Sequence, residues 1–269
     1  MEIAAIQLEV SDSDSRAKRF EKVENIFCEI GCQSAKPDLI LLPETWGCGY
    51  FDFDNYGKYA EPLAGETYEF IAAWAKKLNT FILGGSFIEA DGNDLFNTSI
   101  LINKQGELIA HYRKIHLFGY QSREPQLIKR GSAPVVIETE LGVLGLSTCY
   151  DLRFPEQYRE MIDLGAEVFL VVSAWPINRI AHWRLFNQAR ALENQSWLVS
   201  CNCCGNHRGW VYGGNSMTVS PMGEIAAEAG LEPCILRSSA DVALVDEYRQ
   251  GYPALADRIK KAHINIGCI

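Results

Sequence analysis

The sequence predicts a layered α/β fold in which helices cover the outer faces of mixed sheets. Three observations favour it: strand-like apolar runs alternate with amphipathic helices near both ends, hairpin patterns fill the middle, and no linker rich in Pro, Gly and Ser divides the chain. With 269 residues, 48% of them hydrophobic, the chain is near the upper limit for one hydrophobic core. We therefore predict a single domain over residues 1–269, and periodicity leaves open whether one or two sheets lie inside it.

A β-α-β unit is predicted at the start of the chain. Apolar residues such as Val23 and Phe27 recur every three or four positions, so an amphipathic helix over residues 14–31 is predicted between the strands EIAAIQLEV and DLILLP. A second helix carries Ile71 and Trp74 in the same spacing, and it precedes the apolar strand TFILGGSF. Helices and buried strands therefore alternate from the outset.

Hairpins are predicted in the middle, and helices return in the second half. A glycine follows Asp, Gln or Leu between strand-like runs in EADGND, INKQGELIAHYRK and IETELGVLGLSTC, which is typical of antiparallel turns. The second half is predicted to contain, in order, the helix PEQYREMIDLGA, the strand EVFLVVSAW, a helix over residues 180–194, the strand SWLVSCNC, the hairpin NSMTVSPMGEIAAE, the strand ADVALVDEY and the short helix PALADRIKKA.

Charge and cysteine content narrow the class of protein. The formal net charge is −9 and no basic block is present, which argues against nucleic acid and anionic membranes as partners. No apolar stretch reaches the length of a membrane span, and no basic leader precedes the first apolar run, so a cytoplasmic protein is expected. Nine cysteines in a chain of this length indicate reduced thiols. A thiol nucleophile is compatible with such a setting.

Cys149 lies where a predicted strand ends and the chain turns abruptly polar, in VLGLST followed by CYDLRFPE. An elbow between a strand and a helix holds a side chain above the edge of the sheet and directs backbone N–H groups towards it. Pro155 and Glu156 fit the first turn of the helix that follows. A lone cysteine is more often a small buried apolar residue, so Cys149 by itself decides little.

Two chemically complementary side chains also adjoin apolar strands. Glu44 follows LILLP, and Lys114 ends LIAHYRK. A free thiol has a pKa of about 8.5, so at neutral pH it needs a base or a cation nearby in order to attack. A carboxylate can take the proton and return it to a leaving amine, and an ammonium group can stabilise an oxyanion. Together with Cys149, these side chains supply a nucleophile, a base and a cation for acyl transfer.

Three sequence blocks carry a family resemblance. LLPETWGCGY, YRKIHLF and STCYDLRFPE, in this order, resemble the signature blocks of the nitrilase superfamily, the carbon-nitrogen hydrolases. The likeness extends from IAAIQLEV through HWRLFNQARALENQSWLVSCN and GNSMTVSPMGEI to the final helix. One block would be a weak signal, whereas three ordered blocks with similar flanks are specific.

The resemblance implies a four-layer α-β-β-α sandwich that hydrolyses its substrate through a cysteine thioester, without a metal or organic cofactor. By position, it makes Glu44 the general base and acid, Lys114 the cation that stabilises the oxyanion, and Cys149 the nucleophile. The backbone N–H of Tyr150 would complete the oxyanion hole. Glu124 matches a second glutamate that orients the lysine or helps to place the substrate.

The residues after the nucleophile suggest a branch of the superfamily. CYDLRFPE is similar to the amidase branch that includes ω-amidases and deaminated-glutathione amidases, whereas nitrile-cleaving members usually carry Trp-Glu after the cysteine. The expected reaction is hydrolysis of a small amide, an ω-amide of a dicarboxylic or keto acid, to an acid and ammonia. A nitrilase, an N-carbamoyl amino acid amidohydrolase and an acyltransferase are the alternatives. HLFGYQSREP departs from the well-known ω-amidases, which follow HLF with an aspartate, and leaves the substrate open.

Two residues near the nucleophile have competing interpretations. Arg153 stands between Leu152 and Phe154 just before a helix, so it is predicted to pair with nearby acids and hold the elbow rather than to grip a substrate carboxylate. Trp175 follows FLVVSA and resembles a substrate-pocket position of the family. Ordinary packing of a large aromatic side chain is an equal alternative for it.

Other features have simpler interpretations. The segment 201–207, CNCCGNH, lacks the second ligand pair of a zinc site, so its cysteines are predicted to be structural; a thiol redox or metal-binding protein is the rival hypothesis. His116 is interpreted as a structural hydrogen-bonding residue. A catalytically inactive binding scaffold is a further alternative, which the occupied catalytic positions oppose. Family homodimers commonly form through the helix near residues 180–194 and the C-terminal segment, so a homodimer is expected.

Overall fold

A computed structural model of the protein describes residues 1–259, in which two six-stranded mixed sheets pack face to face. The strands are β1 (Glu2–Gln7), β2 (Leu39–Leu41), β3 (Phe81–Asp91), β4 (Asp94–Ile102), β5 (Leu108–Arg113), β6 (Val135–Thr139), β7 (Gly142–Thr148), β8 (Val168–Ser173), β9 (Trp197–Asn202), β10 (Asn206–His207), β11 (Trp210–Val211), β12 (Met217–Val219), β13 (Ile225–Glu228) and β14 (Cys234–Ser239). The first sheet has the order β14-β1-β2-β3-β4-β5 and the second β13-β12-β9-β8-β7-β6, while β10 and β11 form a separate hairpin.

Helices cover the outer face of each sheet. They are α1 (Arg16–Cys32), α2 (Tyr56–Tyr59), α3 (Glu66–Leu78), α4 (Glu124–Leu127), α5 (Pro155–Asp163), α6 (Ile180–Asn194) and α7 (Ala243–Gly251). Apolar side chains of α1 and α3 pack on the first sheet, and those of α5 and α6 pack on the second. The predicted helices over residues 14–31 and 180–194 are therefore confirmed as α1 and α6.

Alternating side chains along the central strands produce the four layers. In β1, Ile3 and Ala5 belong to the core between the two sheets, whereas Ala4 and Ile6 belong to the core under α1 and α3. Successive residues of a strand point to opposite faces, so a strand that is apolar at every position must be covered on both sides. The predicted α-β-β-α sandwich is thereby confirmed, with two sheets rather than one.

One predicted element at the C-terminal end is wrong. ADVALVDEY was expected to be a strand, but residues 243–251 form α7, and the edge position beside β1 is filled by β14 in antiparallel pairing. Val245 is fully buried against the core between the sheets, a contact that one face of a helix supplies as well as a strand does. The predicted helix PALADRIKKA begins as a turn at residues 254–257, and its residues from 260 onwards lie outside the described part. None of the helices within residues 1–259 is long and apolar enough to cross a membrane.

The parallel strands bring their carboxyl ends to one edge of the sandwich. β1, β2 and β3 run parallel in the first sheet, and β7, β8 and β9 run parallel in the second. The segments that follow β2 and β8 meet there, since the backbone N–H of Glu44 donates to the carbonyl oxygen of Ser173 at 3.3 Å. Cys149 follows β7 at the same edge, so residues distant in sequence can share one site.

Candidate active site

Cys149 occupies a strained elbow directly after β7. Its φ of 49° lies in the left-handed region, which is unfavourable for a residue with a side chain and is maintained by the surrounding structure. The fully buried carboxylate of Asp151 provides that support: it accepts hydrogen bonds from the N–H of Thr148 at 2.9 Å, the N–H of His116 at 2.9 Å and the hydroxyl of Tyr112 at 2.6 Å. Asp151 thus fixes the elbow and links it to the segment after β5.

Glu44 and Lys114 form an ion pair beneath this elbow, and both side chains are 0% exposed. The Nζ of Lys114 lies 2.9 Å from Oε1 of Glu44 and 2.9 Å from Oε1 of Glu124. The other oxygen of Glu44 accepts the backbone N–H of Ala174 at 2.9 Å, and Nδ2 of Asn97 donates to Oε1 at 2.8 Å. Every charged atom of the pair has a hydrogen-bonding partner, as a buried ion pair requires.

Glu124 stands on the far side of Lys114 and is also fully buried. Its Oε2 accepts the backbone N–H of Phe118 at 2.6 Å and the hydroxyl of Tyr50 at 3.1 Å. The ring of Tyr50 also lies beneath the ammonium group, with Nζ of Lys114 5.1 Å from its centroid. Lys114 is therefore held between two carboxylates and one aromatic face.

The electrostatics keep Lys114 charged. Burial alone would lower the pKa of Lys114, but the carboxylates of Glu124 and Glu44 together raise that pKa well above its ordinary value. Burial raises the pKa of Glu124; the charge of Lys114 counteracts this rise, and the neighbouring Glu44 adds to it. Two carboxylates thus share one ammonium group.

The same charges keep the thiol of Cys149 protonated at rest. Burial and the nearby carboxylate of Glu44 raise its pKa, against smaller lowering effects from Lys114, the hydroxyl of Ser173 and the N–H of Ala174. The thiolate is the reactive form, so this cysteine needs a base at the moment of attack. The carboxylate of Glu44 and the sulfur of Cys149 both face the N–H of Ala174.

A narrow pocket, with about 20 Å³ of space for the centres of water molecules, opens from Cys149 towards the surface. Aromatic side chains line most of it: Tyr50, Phe51, Phe118, Tyr150 and Trp175. Trp175 is 2% exposed, and its backbone N–H donates to Oδ1 of Asn202 at 2.7 Å, so it forms a fixed wall. The structure therefore brings together all six residues that the sequence singled out: Glu44, Lys114, Glu124, Cys149, Tyr150 and Trp175.

The sequence prediction for Arg153 is wrong. No carboxylate of residues 1–259 pairs with its guanidinium, whose polar partner is Nδ1 of His182 at 3.3 Å. The guanidinium lies over aromatic rings instead, 4.9 Å from the centroid of Trp175 and 5.1 Å from that of Phe186. The acids were expected nearby because Asp151 precedes Arg153, but Asp151 points inward to the elbow. Arg153 lines the pocket.

Sequence reasoning missed three residues of the site. Asn97 contacts both glutamates, but it is one of several polar residues in β4, so no distinct signal in the sequence marks it. Tyr50 follows Glu44 in the same sequence block, but nothing in the block shows that its hydroxyl reaches Glu124. Arg179 lines the pocket from the turn before α6, and that turn carries no recognisable motif.

The cysteines of residues 201–204 lie in the core rather than in a pocket. The thiol of Cys201 faces the carbonyl oxygens of Ile6 at 3.1 Å and Leu41 at 3.5 Å, and that of Cys203 faces the carbonyl oxygen of Glu44 at 3.6 Å. Within the described part of the chain, no group of three or more His, Cys, Asp or Glu side chains is arranged to hold a metal ion. The geometry gives the rival metal-binding hypothesis no support.

The α-β-β-α fold is that of a nitrilase-like hydrolase, and a thiol lies in its pocket. Comparison with known families agrees: the profile described as "Carbon-nitrogen hydrolase" matches residues 2–250. The chain belongs to the carbon-nitrogen hydrolase family. The membership predicted from the three sequence blocks is therefore confirmed.

Individual relatives are similar along most of their length. The 2-oxoglutaramate amidase of Paenarthrobacter nicotinovorans is 36% identical over 266 residues, covering 96% of this chain and 89% of the relative. The crystal structure of Saccharomyces cerevisiae Nit3, a member of branch 10 of the nitrilase superfamily, superposes with a TM-score of 0.86 at 29% identity, covering 94% of each chain.

A third relative bears on the chemistry. A mutant of the amidase from Nesterenkonia sp. AN1 shows covalent addition of the acetamide moiety of fluoroacetamide at the active-site cysteine. Its structure superposes with a TM-score of 0.81 at 26% identity, covering 94% of this chain and 96% of the relative. The names of these relatives agree with the prediction of an amidase.

Proposed function

We propose that the protein is an amidase that converts a small ω-amide to a carboxylic acid and ammonia, with Cys149 as nucleophile, Glu44 as general base and acid, and Lys114 as the cation that stabilises the oxyanion. One observation carries the proposal: Lys114 is held charged between Glu44 and Glu124 in a fully buried group next to Cys149, at the closed end of a pocket. The roles follow from what each group can donate or accept there.

In the first half of the reaction, the amide carbonyl lies between Cys149 and the ammonium group of Lys114. Glu44 accepts the thiol proton while the sulfur bonds to the carbonyl carbon, and the carbonyl oxygen becomes an oxyanion. Lys114 and the backbone N–H of Tyr150 stabilise that charge. When the C–N bond breaks, Glu44 returns the proton to the nitrogen, ammonia leaves, and an acyl thioester remains on Cys149.

In the second half, water hydrolyses the thioester. Glu44 accepts a proton from the water as its oxygen bonds to the acyl carbon, and Lys114 again faces the oxyanion. The S–C bond then breaks, the acid leaves, and the proton passes to the sulfur of Cys149. One amide and one water give one acid and one ammonia, and the enzyme returns to its starting protonation state.

Glu124 and Trp175 have supporting roles in this proposal. Glu124 positions Lys114 and remains its counterion when Glu44 is protonated, because it contacts Nζ through both carboxylate oxygens, at 2.9 and 3.1 Å. Trp175 forms the substrate-facing wall beside Ala174. The aromatic lining and the small volume favour a short acyl chain, and the guanidinium of Arg153, which has no carboxylate partner within residues 1–259, favours an anionic one.

The substrate class follows from these features together with the relatives. A short acyl chain with an anionic end is the monoamide of a dicarboxylic acid, and the relative from Paenarthrobacter nicotinovorans is named for a substrate of that class. We therefore place ω-amides of dicarboxylic or keto acids ahead of nitriles and N-carbamoyl amino acids as substrates of this protein.

The test measures ammonia release and covalent modification. Wild-type protein should release ammonia from ω-amides such as succinamate faster than from nitriles or N-carbamoyl amino acids, and Cys149→Ala should release none. Fluoroacetamide should add its acetamide moiety to the wild type, with loss of fluoride and the thiol proton, but not to Cys149→Ala. Cys28→Ala, which removes an exposed thiol on α1, is the matched control and should behave as wild type. Turnover by Cys149→Ala would refute the mechanism.

We also propose a homodimer formed through α6. This helix exposes two large apolar side chains, Leu185 at 64% and Leu192 at 49%, which a monomer would leave in water. Light scattering after size-exclusion chromatography should give twice the mass of one chain for the wild type. Leu185→Asp should give the mass of a single chain. A monomeric wild type would contradict the proposal.

A further inference from the structure

Arg179 lies at the mouth of the active-site pocket. It precedes α6 directly, and its carbonyl oxygen accepts the indole N–H of Trp175 at 2.9 Å, so its backbone is tied to the pocket wall. Its guanidinium lies 5.0 Å from the ring centroid of Tyr120 and 5.8 Å from that of Phe118. Tyr120 is 59% exposed, which places this side of the pocket at the surface.

The guanidinium of Arg179 has no anionic partner. Across residues 1–259 it forms no ion pair, and its side-chain hydrogen bond is a long one, 3.5 Å, to the neutral Oδ1 of Asn178. Contacts with aromatic rings use the faces of the guanidinium plane and leave the N–H donors at its edge available. Arg153, by comparison, directs a donor to His182 and is packed by more rings.

Two like charges share the pocket wall at this point. Arg153 and Arg179 both line the pocket, and burial lowers the pKa of Arg153 with a smaller contribution from the charge of Arg179. The lining of the pocket contains these two cations and no carboxylate. Two partly desolvated cations are unfavourable in an empty pocket, and an anion bound between them removes the repulsion.

The loop that covers Arg179 supports the same conclusion. In HLFGYQSREP, the residues that reach the guanidinium are Phe118 and Tyr120, and neither carries a charge. The carboxylate of Glu124 in the same segment points the other way, to Lys114. The loop therefore orients Arg179 without neutralising it.

We propose that Arg179 is a specificity-determining residue that binds the carboxylate at the end of the substrate opposite to the amide. The inference rests on the proposed amidase function and deepens it: Lys114 and Cys149 recognise the amide carbonyl at the closed end of the pocket, and Arg179 recognises the carboxylate at its mouth. Amides of dicarboxylic acids are then selected over neutral amides of the same length.

The experiment compares an anionic and a neutral substrate of matched length, succinamate and butyramide. Arg179→Gln should raise KM for succinamate by about tenfold or more, the usual effect of losing one charged hydrogen-bonding partner, and should change KM for butyramide by less than about twofold. Arg179→Lys, which keeps the charge, should retain most of the preference. Arg184→Gln removes a charge from α6, the helix that follows Arg179, where Arg184 pairs with Glu228 away from the pocket, and should match wild type.

Each outcome decides the proposal. If Arg179→Gln raises KM equally for succinamate and butyramide, Arg179 only maintains the structure of the pocket mouth. If the preference for succinamate over butyramide is unchanged, Arg179 does not bind the carboxylate. Either result overturns the inference. If wild type hydrolyses no amide, the proposed function fails, and the inference is decided by calorimetric titration with succinate. Arg179→Gln should then weaken succinate binding about tenfold. Succinate binding that is absent, or that the substitution leaves unchanged, would overturn the inference.

Discussion

Glu124→Gln is the substitution that distinguishes the role of Glu124 from that of Glu44, the other buried glutamate. It removes one negative charge and one acceptor next to Lys114 while it leaves the Lys114–Glu44 pair in place. The carboxylate of Glu124 accepts Nζ of Lys114, the N–H of Phe118 and the hydroxyl of Tyr50. A glutamine amide offers one acceptor and one donor group in the same space, so at least one of these donors must lose its partner.

The magnitude follows from the donors affected. Loss of a hydrogen bond to a charged group costs about 1.5–3 kcal/mol, and a buried donor left without a partner costs about 1–3 kcal/mol. If about 3–4 kcal/mol of this falls on the transition state, kcat decreases by about 10²–10³. KM should change little, since Glu124 does not line the pocket. The fold should survive, because the charge that remains on Glu44 balances that of Lys114.

The assay is steady-state ammonia release with succinamate, together with thermal unfolding to establish that the variant is folded. Glu124→Asp, which keeps the charge but shortens the side chain, is the comparison variant and should retain more activity than glutamine if charge matters more than fit. A folded Glu124→Gln protein with wild-type kcat would refute the reasoning, because Lys114 would then need only one carboxylate.

Two further predictions follow from the elbow and from the thiol. Asp151→Asn should lower the free energy of unfolding by about 2–3 kcal/mol, because it weakens the acceptor shared by the donors from Thr148, His116 and Tyr112; denaturant unfolding that matches wild type would contradict this. Glu44→Gln should react with iodoacetamide at Cys149 only in strongly alkaline solution, since burial raises the thiol pKa, whereas wild type should react at neutral pH with Glu44 as base. Mass spectrometry across that pH range measures the rates, and identical pH profiles would count against Glu44 as the base.

The fold and the closed end of the site could be predicted because their signals are local. A strand that ends in a turn and a helix is visible around Cys149, and the apolar strands before Glu44 and Lys114 are equally visible. The sequence could not show what depends on distant neighbours. Asn97 on β4 reaches Glu44, which follows β2, although β3 lies between these strands, and the sequence does not place one residue beside the other. For the same reason, Arg153 was wrongly predicted to pair with nearby acids, whereas its neighbours in the structure are distant in sequence.

The misassigned segment after β14 shows a second limit. ADVALVDEY contains enough β-branched residues for a strand, and local preference alone does not exclude one. The position beside β1 is already taken: β14 pairs along the whole of β1, so the residues that follow β14 do not add a strand there. They form α7 instead and bury Val245 against the core between the sheets.

Charge balance explains why one lysine is paired with two glutamates. With both glutamates ionised, Glu44 and Glu124 outweigh Lys114 by one negative charge, so a free thiolate on Cys149 would add a second uncompensated charge in a buried site. In the proposed reaction this never occurs, because the proton moves to Glu44 as the sulfur attacks, and the new charge appears on the oxyanion next to Lys114. Glu44 is then neutral, and Glu124 keeps Lys114 charged and in place. The net charge stays constant through each step, which lowers the electrostatic cost of reaction in a site closed to water.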